Sequence, residues 1–151
     1  MALSWPVERA GHPSPGPLSV EPIRTVQELL RQHGFDVVVD GIFGPKTEDA
    51  VKAFQRSRGL TADGIVGNRT WPALIVQVSR GSQGDAVRAV QGQFQARNLS
   101  GDPFRGLQVD GVFGPETERT VRTFQQAAEL APDGIVGPLT WNALVNGALA
   151  G

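Results

Sequence analysis

The chain has 151 residues, with 14 Lys and Arg against 15 Asp and Glu, for a formal net charge of −1. That balance argues against attachment to nucleic acid or anionic lipid through bulk electrostatics. With no cysteine the chain has no disulfide, thiolate nucleophile, iron–sulfur cluster or Cys-ligated zinc, and His12 and His33 are too few for a three-histidine zinc site. The longest unbroken apolar run, Ala73–Val76, is far shorter than the roughly 20 residues that cross a membrane. The first residues show neither a basic n-region nor an apolar h-region, so no signal peptide is recognisable.

Residues 1–20 read as a Pro-rich arm, with Pro6, Pro13, Pro15 and Pro17 blocking a helix and Trp5 available to dock it. A first helix is expected over about residues 22–33, with Ile23, Val26 and Leu30 as its apolar stripe. His33 at its end suits the helix dipole as a cation. Val37–Val39 could make a short extended piece. Then comes Asp40-Gly-Ile-Phe-Gly-Pro-Lys-Thr47. Asp-Gly predicts a tight turn. Two apolar residues, Ile42 and Phe43, are expected to plug the core. Gly44 falls at an N-cap, Pro45 at N1, and the Thr47 hydroxyl is placed to reach back as a capping-box residue does. Helix 2 should follow over about 45–58, with Ala50, Val51 and Phe54 inward, and Gly59 and Leu60 closing it in a Schellman motif. The same octad returns at Asp63–Thr70, and a third helix is expected from about Asn68, with Trp71, Leu74, Ile75 and Val78 inward.

The whole arrangement then repeats. Residues 40–74 and 110–144 align without a gap at an offset of 70, with 20 of 35 positions identical. Upstream, Ile23, Val26, Gln27 and Leu30 match Val87, Val90, Gln91 and Phe94 at an offset of 64, so residues 98–108 contain a six-residue insertion. Helices are expected at about 85–97, 115–128 and 138–149, the middle one ending differently or less sharply because Glu129 replaces the C′ glycine. The reading is therefore all-α: two tandem three-helix modules, residues 21–78 and 79–151, behind the arm of residues 1–20 and joined by the short linker Ser79–Gly84. Modules of this size have marginal cores alone, so packing of one on the other is expected.

These motifs resemble the peptidoglycan-binding domain of bacterial cell-wall hydrolases, a type also found at the front of matrix metalloprotease proenzymes. Module one carries Val26-Gln27, DGIFGPKT, Ala50-Val51, Phe54-Gln55, Gly59-Leu60, DGIVGNRTW and Ala73-Leu74. Module two carries Gly81-Ser-Gln-Gly84, Val90-Gln91, DGVFGPET, Val121, Phe124-Gln125, DGIVGPLTW and Ala143-Leu144. The resemblance covers about 125 of the residues and departs where module one lacks the Gly-x-x-Gly entry and where Thr120 and Glu129 stand in module two. It implies a bundle that binds bacterial cell wall without catalysis, through glycan or stem peptide, with two modules gaining avidity on a polymer. It also implies a place at the cell wall and no cofactor.

Enzyme readings lack support in the residues. There is no thiolate, no HExxH-like zinc set and no GxSxG elbow. Asp40, Asp63, Asp110 and Asp133 are better explained by their turns than as a glycosidase pair. They remain candidate ligand contacts, together with Gln55, Gln125, Arg58, Trp71 and Trp141. The tryptophans are either core or partly exposed rings for stacking on sugar or lining a peptide groove. The glutamines either face solvent or bond to a loop or ligand. Lys52, Arg56 and Arg58 form a basic face on helix 2 that is either solvated or pairs with stem-peptide carboxylates, and it is missing from module two. A monomer with no metal, nucleic-acid or membrane partner is expected. The alternative is an assembly module that binds a wall hydrolase, phage or secretion protein.

Overall fold

The structure, a computed structural model, describes residues 3–11, 21–98 and 107–149. His12, the arm prolines Pro13, Pro15 and Pro17, and residues 99–106 of the segment 98–108 expected to hold the insertion lie outside the described residues. Six helices follow in order: α1 (Glu21–Gln32), α2 (Pro45–Ser57), α3 (Trp71–Leu74), α4 (Asp85–Asn98), α5 (Pro115–Ala127) and α6 (Pro138–Val145). The described residues contain no strand, only three isolated bridge pairs. Val37–Val39 is irregular; Val37 turns inward while Val38 is 71% exposed.

The turn-and-helix device forms as the octads require, with three corrections. Gly41, Gly64, Gly111 and Gly134 all sit near φ +75°, a region that Gly enters without steric cost. Gly44, Gly114 and Gly137 are N-caps followed by Pro. No Thr side chain makes a capping hydrogen bond to its helix, however. Each Thr hydroxyl instead accepts a hydrogen bond from a buried glutamine amide. Only the second apolar residue of each octad enters the core: Phe43, Val66, Phe113 and Val136 are buried. The first stays outside, with Ile42 66%, Val112 45% and Ile135 37% exposed and Ile65 half-buried.

Helix ends supply the third correction. After α2, Leu60 N–H donates to Gln55 O and Gly59 N–H to Arg56 O, with Gly59 at φ +69°. This is the expected Schellman closure. After α5, Leu130 and Glu129 make the same two bonds, with Glu129 at φ +62°. The helix ends just as sharply, with a non-glycine residue held in the left-handed region. α6 stops at Val145 rather than near 149 because Gly147 (φ +80°) and Ala148 close it in the same way. α3 is only one turn long, since Ile75 is extended and the chain leaves for module two.

The arm proves to be part of the repeat. The Trp5 ring stacks on Trp71, centroids 5.9 Å apart, as its docking role anticipated. Glu8 pairs with Val66 as Val78 pairs with Val136. Trp71 Nε1 donates to Pro6 O, and Trp141 Nε1 to Val76 O. Gly11 N–H bonds Phe43 O as Gly81 N–H bonds Phe113 O. Residues 5–11 are thus to module one what residues 75–81 are to module two.

α1 lies against α4, joining the modules. Gln93 Nε2 donates to Thr25 Oγ1 at 2.9 Å, and Ala86 N–H at the start of α4 donates to Gln32 Oε1 at 2.9 Å. Arg31 approaches Asp85 at 3.5 Å. Asn142 of α6 and Asn146 just after it both donate to Ser4 O, so the arm touches both modules. Glu21 and Glu28 face Gly92, where a β-carbon would stand 3.5 and 4.0 Å from their oxygens. Burial, reinforced by Glu21 and Asp85 and opposed by Arg24 and Arg88, pushes the Glu28 carboxyl up to about 8. Burial also raises Glu21, against Arg24 and Arg97.

Candidate functional site

One hydrogen-bonded unit occurs four times. In the first copy Gln27 Nε2 donates to Asp40 Oδ1 (2.9 Å), Ile42 O (3.0 Å) and Thr47 Oγ1 (3.1 Å), while Gln27 Oε1 accepts from the N–H groups of Asp40 and Gly41. Gln91 does the same for Asp110, Val112, Thr117 and Gly111. Gln55 holds Asp63, Ile65, Thr70 and Gly64. Gln125 holds Asp133, Ile135, Thr140 and Gly134. All four glutamines are at most 1% exposed. A buried amide needs partners for both of its ends, and each octad supplies them. Gln55 and Gln125 therefore bond to a loop and do not face solvent.

The aspartates sit at the rim. Each is exposed, and every bond above uses Oδ1, which also accepts the N–H two residues on. The Ile42 N–H, then the Gln27 amide, hold the Asp40 carboxyl below the usual range, and Val112 and Gln91 do so for Asp110. Bonds of this kind favour the ionised form. They suit a hydrogen-bond acceptor, the opposite of the raised pKa that a general acid needs.

Grooves open beside three of the four units. One of about 610 Å³ is lined by Val38, Asp40, Ile42, Lys46 and Thr47 among others. A second, of about 380 Å³, includes Leu60, Asp63, Ile65, Arg69 and Thr70. A third, of about 270 Å³, includes Gln77, Leu130, Asp133, Ile135 and Leu139. Each combines a pinned carboxylate, a β-branched side chain that is exposed or, for Ile65, half-buried, and a helix start. Such a lining offers hydrogen-bond acceptance and aliphatic contact. Among the described residues, no group of three or more His, Cys, Asp and Glu could hold a metal ion.

The remaining candidates lie elsewhere. Trp71 and Trp141 are 0% exposed; they are core, with no open face for stacking on a sugar. Arg58 lies over the Phe54 ring at 5.0 Å, outside the grooves, and donates to His33 Nδ1 at 3.0 Å. Because arginine only donates, His33 Nδ1 accepts and Nε2–H donates to Leu74 O at 2.8 Å. Sequence reasoning misses Ile42, Ile65 and Ile135 as groove contacts. The signal for them is a fourfold apolar position next to another that already fills the core.

Comparison with known proteins bears on this geometry. Residues 19–74 and 83–144 each match the family described as "Putative peptidoglycan binding domain". The chain is 37% identical over 115 residues to the N-acetylmuramoyl-L-alanine amidase CwlM of Mycobacterium tuberculosis, covering 68% of this chain and 27% of that protein. It is 38% identical over 104 residues to the zinc D-Ala-D-Ala carboxypeptidase of Streptomyces albus G, covering 68% and 38%. The matches thus span well under half of either relative's length. A crystal structure of a peptidoglycan-binding protein from Clostridioides difficile in complex with glutamine hydroxamate is 40% identical, covers 45% of this chain and 39% of its own, and superposes with a TM-score of 0.40. With both modules matched, the chain belongs to the peptidoglycan-binding domain family and carries that domain twice.

Proposed function

We propose that this chain attaches non-catalytically to bacterial peptidoglycan and that both modules engage the wall at once. The observation that carries the reading is the fourfold unit: the same pinned Asp, followed two residues on by an Ile or Val that is exposed in three copies and half-buried in the fourth, recurs twice in each module. Asp40, Asp63, Asp110 and Asp133 are the acceptors for ligand N–H or O–H groups, and Ile42, Ile65, Val112 and Ile135 supply apolar contact. Gln55, Gln125, Trp71 and Trp141 act from beneath, by holding the loops in shape. The fixed contact between α1 and α4 favours bivalency, because two weak sites held at a set spacing bind a repeating polymer far more tightly than one. Association with the cell wall follows from the same reading.

The decisive test is co-sedimentation of the full chain with purified insoluble peptidoglycan. Saturable pelleting is expected, and it should be lost in the double variant Ile42→Asp/Ile135→Asp, whose exposed sites leave the fold intact. A chain that stays in the supernatant at moderate salt would remove the wall-binding reading and favour a protein partner.

A further inference from the structure

The four octads differ most tellingly at the residue just before the final Thr: Lys46, Arg69, Glu116 and Leu139. All four are exposed. Glu116 on the first turn of α5 has the sign the helix dipole favours, and it pairs with Arg119 at 3.6 Å. Lys46 occupies the matching place on α2 with the opposite sign, and it forms no ion pair among the described residues. A cation there opposes the dipole, so helix stability does not account for it.

Lys46 borders the largest of the three grooves. Val38, 71% exposed, and Ile42, 66% exposed, form its apolar wall, while Asp36 and Asp40 come from the loop ahead of the turn. Anionic and cationic groups thus reach the groove from different elements. Among the described residues no aromatic side chain lines it, and Trp5 and Trp71 are spent on the core of module one. A sugar ring would find no flat face here to stack on. A peptide carrying small apolar side chains, an amine and a free carboxylate matches both the wall and the charges.

We infer that the groove of Val38, Asp40, Ile42 and Lys46 binds the carboxyl-terminal end of a short peptide, making module one the peptide-reading half of the chain. Lys46 pairs with the terminal carboxylate, Val38 and Ile42 cover the aliphatic side chains, and Asp36 and Asp40 accept from the peptide's amine and amide groups. This rests on the wall-binding reading, and it names the stem peptide rather than the glycan as the ligand at this groove.

The experiment titrates the isotope-labelled full chain with Nα-acetyl-L-Lys-D-Ala-D-Ala, its C-terminal amide and chitotetraose, following the amides of Val38, Ile42 and Lys46 by NMR. The free acid should shift these signals. The C-terminal amide and the Lys46→Glu variant should each weaken binding roughly tenfold, as expected on losing a charge-assisted bond. Lys46→Glu recreates the favourable charge of module two, so its loss of binding is not a loss of folding. Equal binding of acid and amide, indifference to Lys46→Glu, or shifts with chitotetraose alone would overturn the inference. Pelleting with whole peptidoglycan is measured in parallel. Retained pelleting with no response to the tripeptide would sink only the peptide assignment, whereas no pelleting and no response would remove both readings.

Discussion

The two modules solve one packing problem with different residues. Each must satisfy the carbonyls at the end of its third helix and cover one face of the core Phe on its second. In module one, two residues divide this role. His33 donates to Leu74 O, and Arg58 lies over Phe54 while bonding His33. In module two, Arg97 stands at the position of His33 and does both, donating to Leu144 O and Ala148 O with its guanidinium 5.3 Å over Phe124. Arg97 also bonds Gln93 and is 0% exposed. What recurs is the set of groups to be satisfied, not the residue that satisfies them. Ala128 at the counterpart of Arg58 is therefore no sign of a weakened module.

The comparison breaks hardest at these residues. Arg97→Ala removes a buried cation that serves several carbonyls, and a loss of about 4 kcal/mol is expected in urea unfolding. His33→Ala, where Arg58 still covers Phe54, should cost about 1–2 kcal/mol. Equal losses would refute the division of labour. Next come the glutamines common to both modules. Gln55→Leu or Gln125→Leu strands a buried turn N–H, a carbonyl and a Thr hydroxyl, at a cost of about 3 kcal/mol each, with the same value in both modules if the units are equivalent.

The seam between modules is sharpened by pH. Glu28 is raised to about 8, so the stability that its protonated form permits is complete below its ordinary value of 4.5 and is lost as pH rises through about 8. Glu28→Gln should flatten that decline and gain about 2 kcal/mol at pH 8 in a thermal-melt series. Asp40 and Asp110 act in the other direction: their contribution is present above pH 3.8 and is lost as the pH falls through their lowered values. Unfolding below pH 4 should therefore be steep in both modules. The smallest effect lies at the helix ends. Glu129→Gly relieves a left-handed residue and should stabilise module two by about 1 kcal/mol, and Gly59→Glu should cost module one a similar amount.

Much of this is legible in the sequence. Six helices, four turns and the twofold repeat follow from Asp-Gly, Gly-Pro and 3.6-residue spacing, all of them local signals. The capping role expected of Thr fails because the partner is 15 to 26 residues away: a capping box is a local inference, whereas Gln27 and Thr47 meet only when α1 packs against the turn. The sharp stop at Glu129 is illegible because tertiary closure can hold a non-glycine residue at φ +62°. The arm's place in the repeat is hidden because Leu3–Gly11 and Ala73–Gly81 share backbone bonds but almost no residues. Of the candidate site, Asp40, Asp63 and Asp133 reach the groove rims and Asp110 is exposed on its turn, while the tryptophans are consumed by the core and the glutamines by the turns.

The central claim is that both modules grip the wall together. A binding isotherm of the full chain on insoluble peptidoglycan, run beside Ile42→Asp, Ile135→Asp and the double variant, tests it most directly. Bivalent attachment predicts that either single change weakens binding by at least tenfold and that the double change abolishes it, as expected when two sites act on one polymer. Binding that survives one single change undiminished would show that only one module is used, and binding that survives the double change would contradict the groove assignment itself.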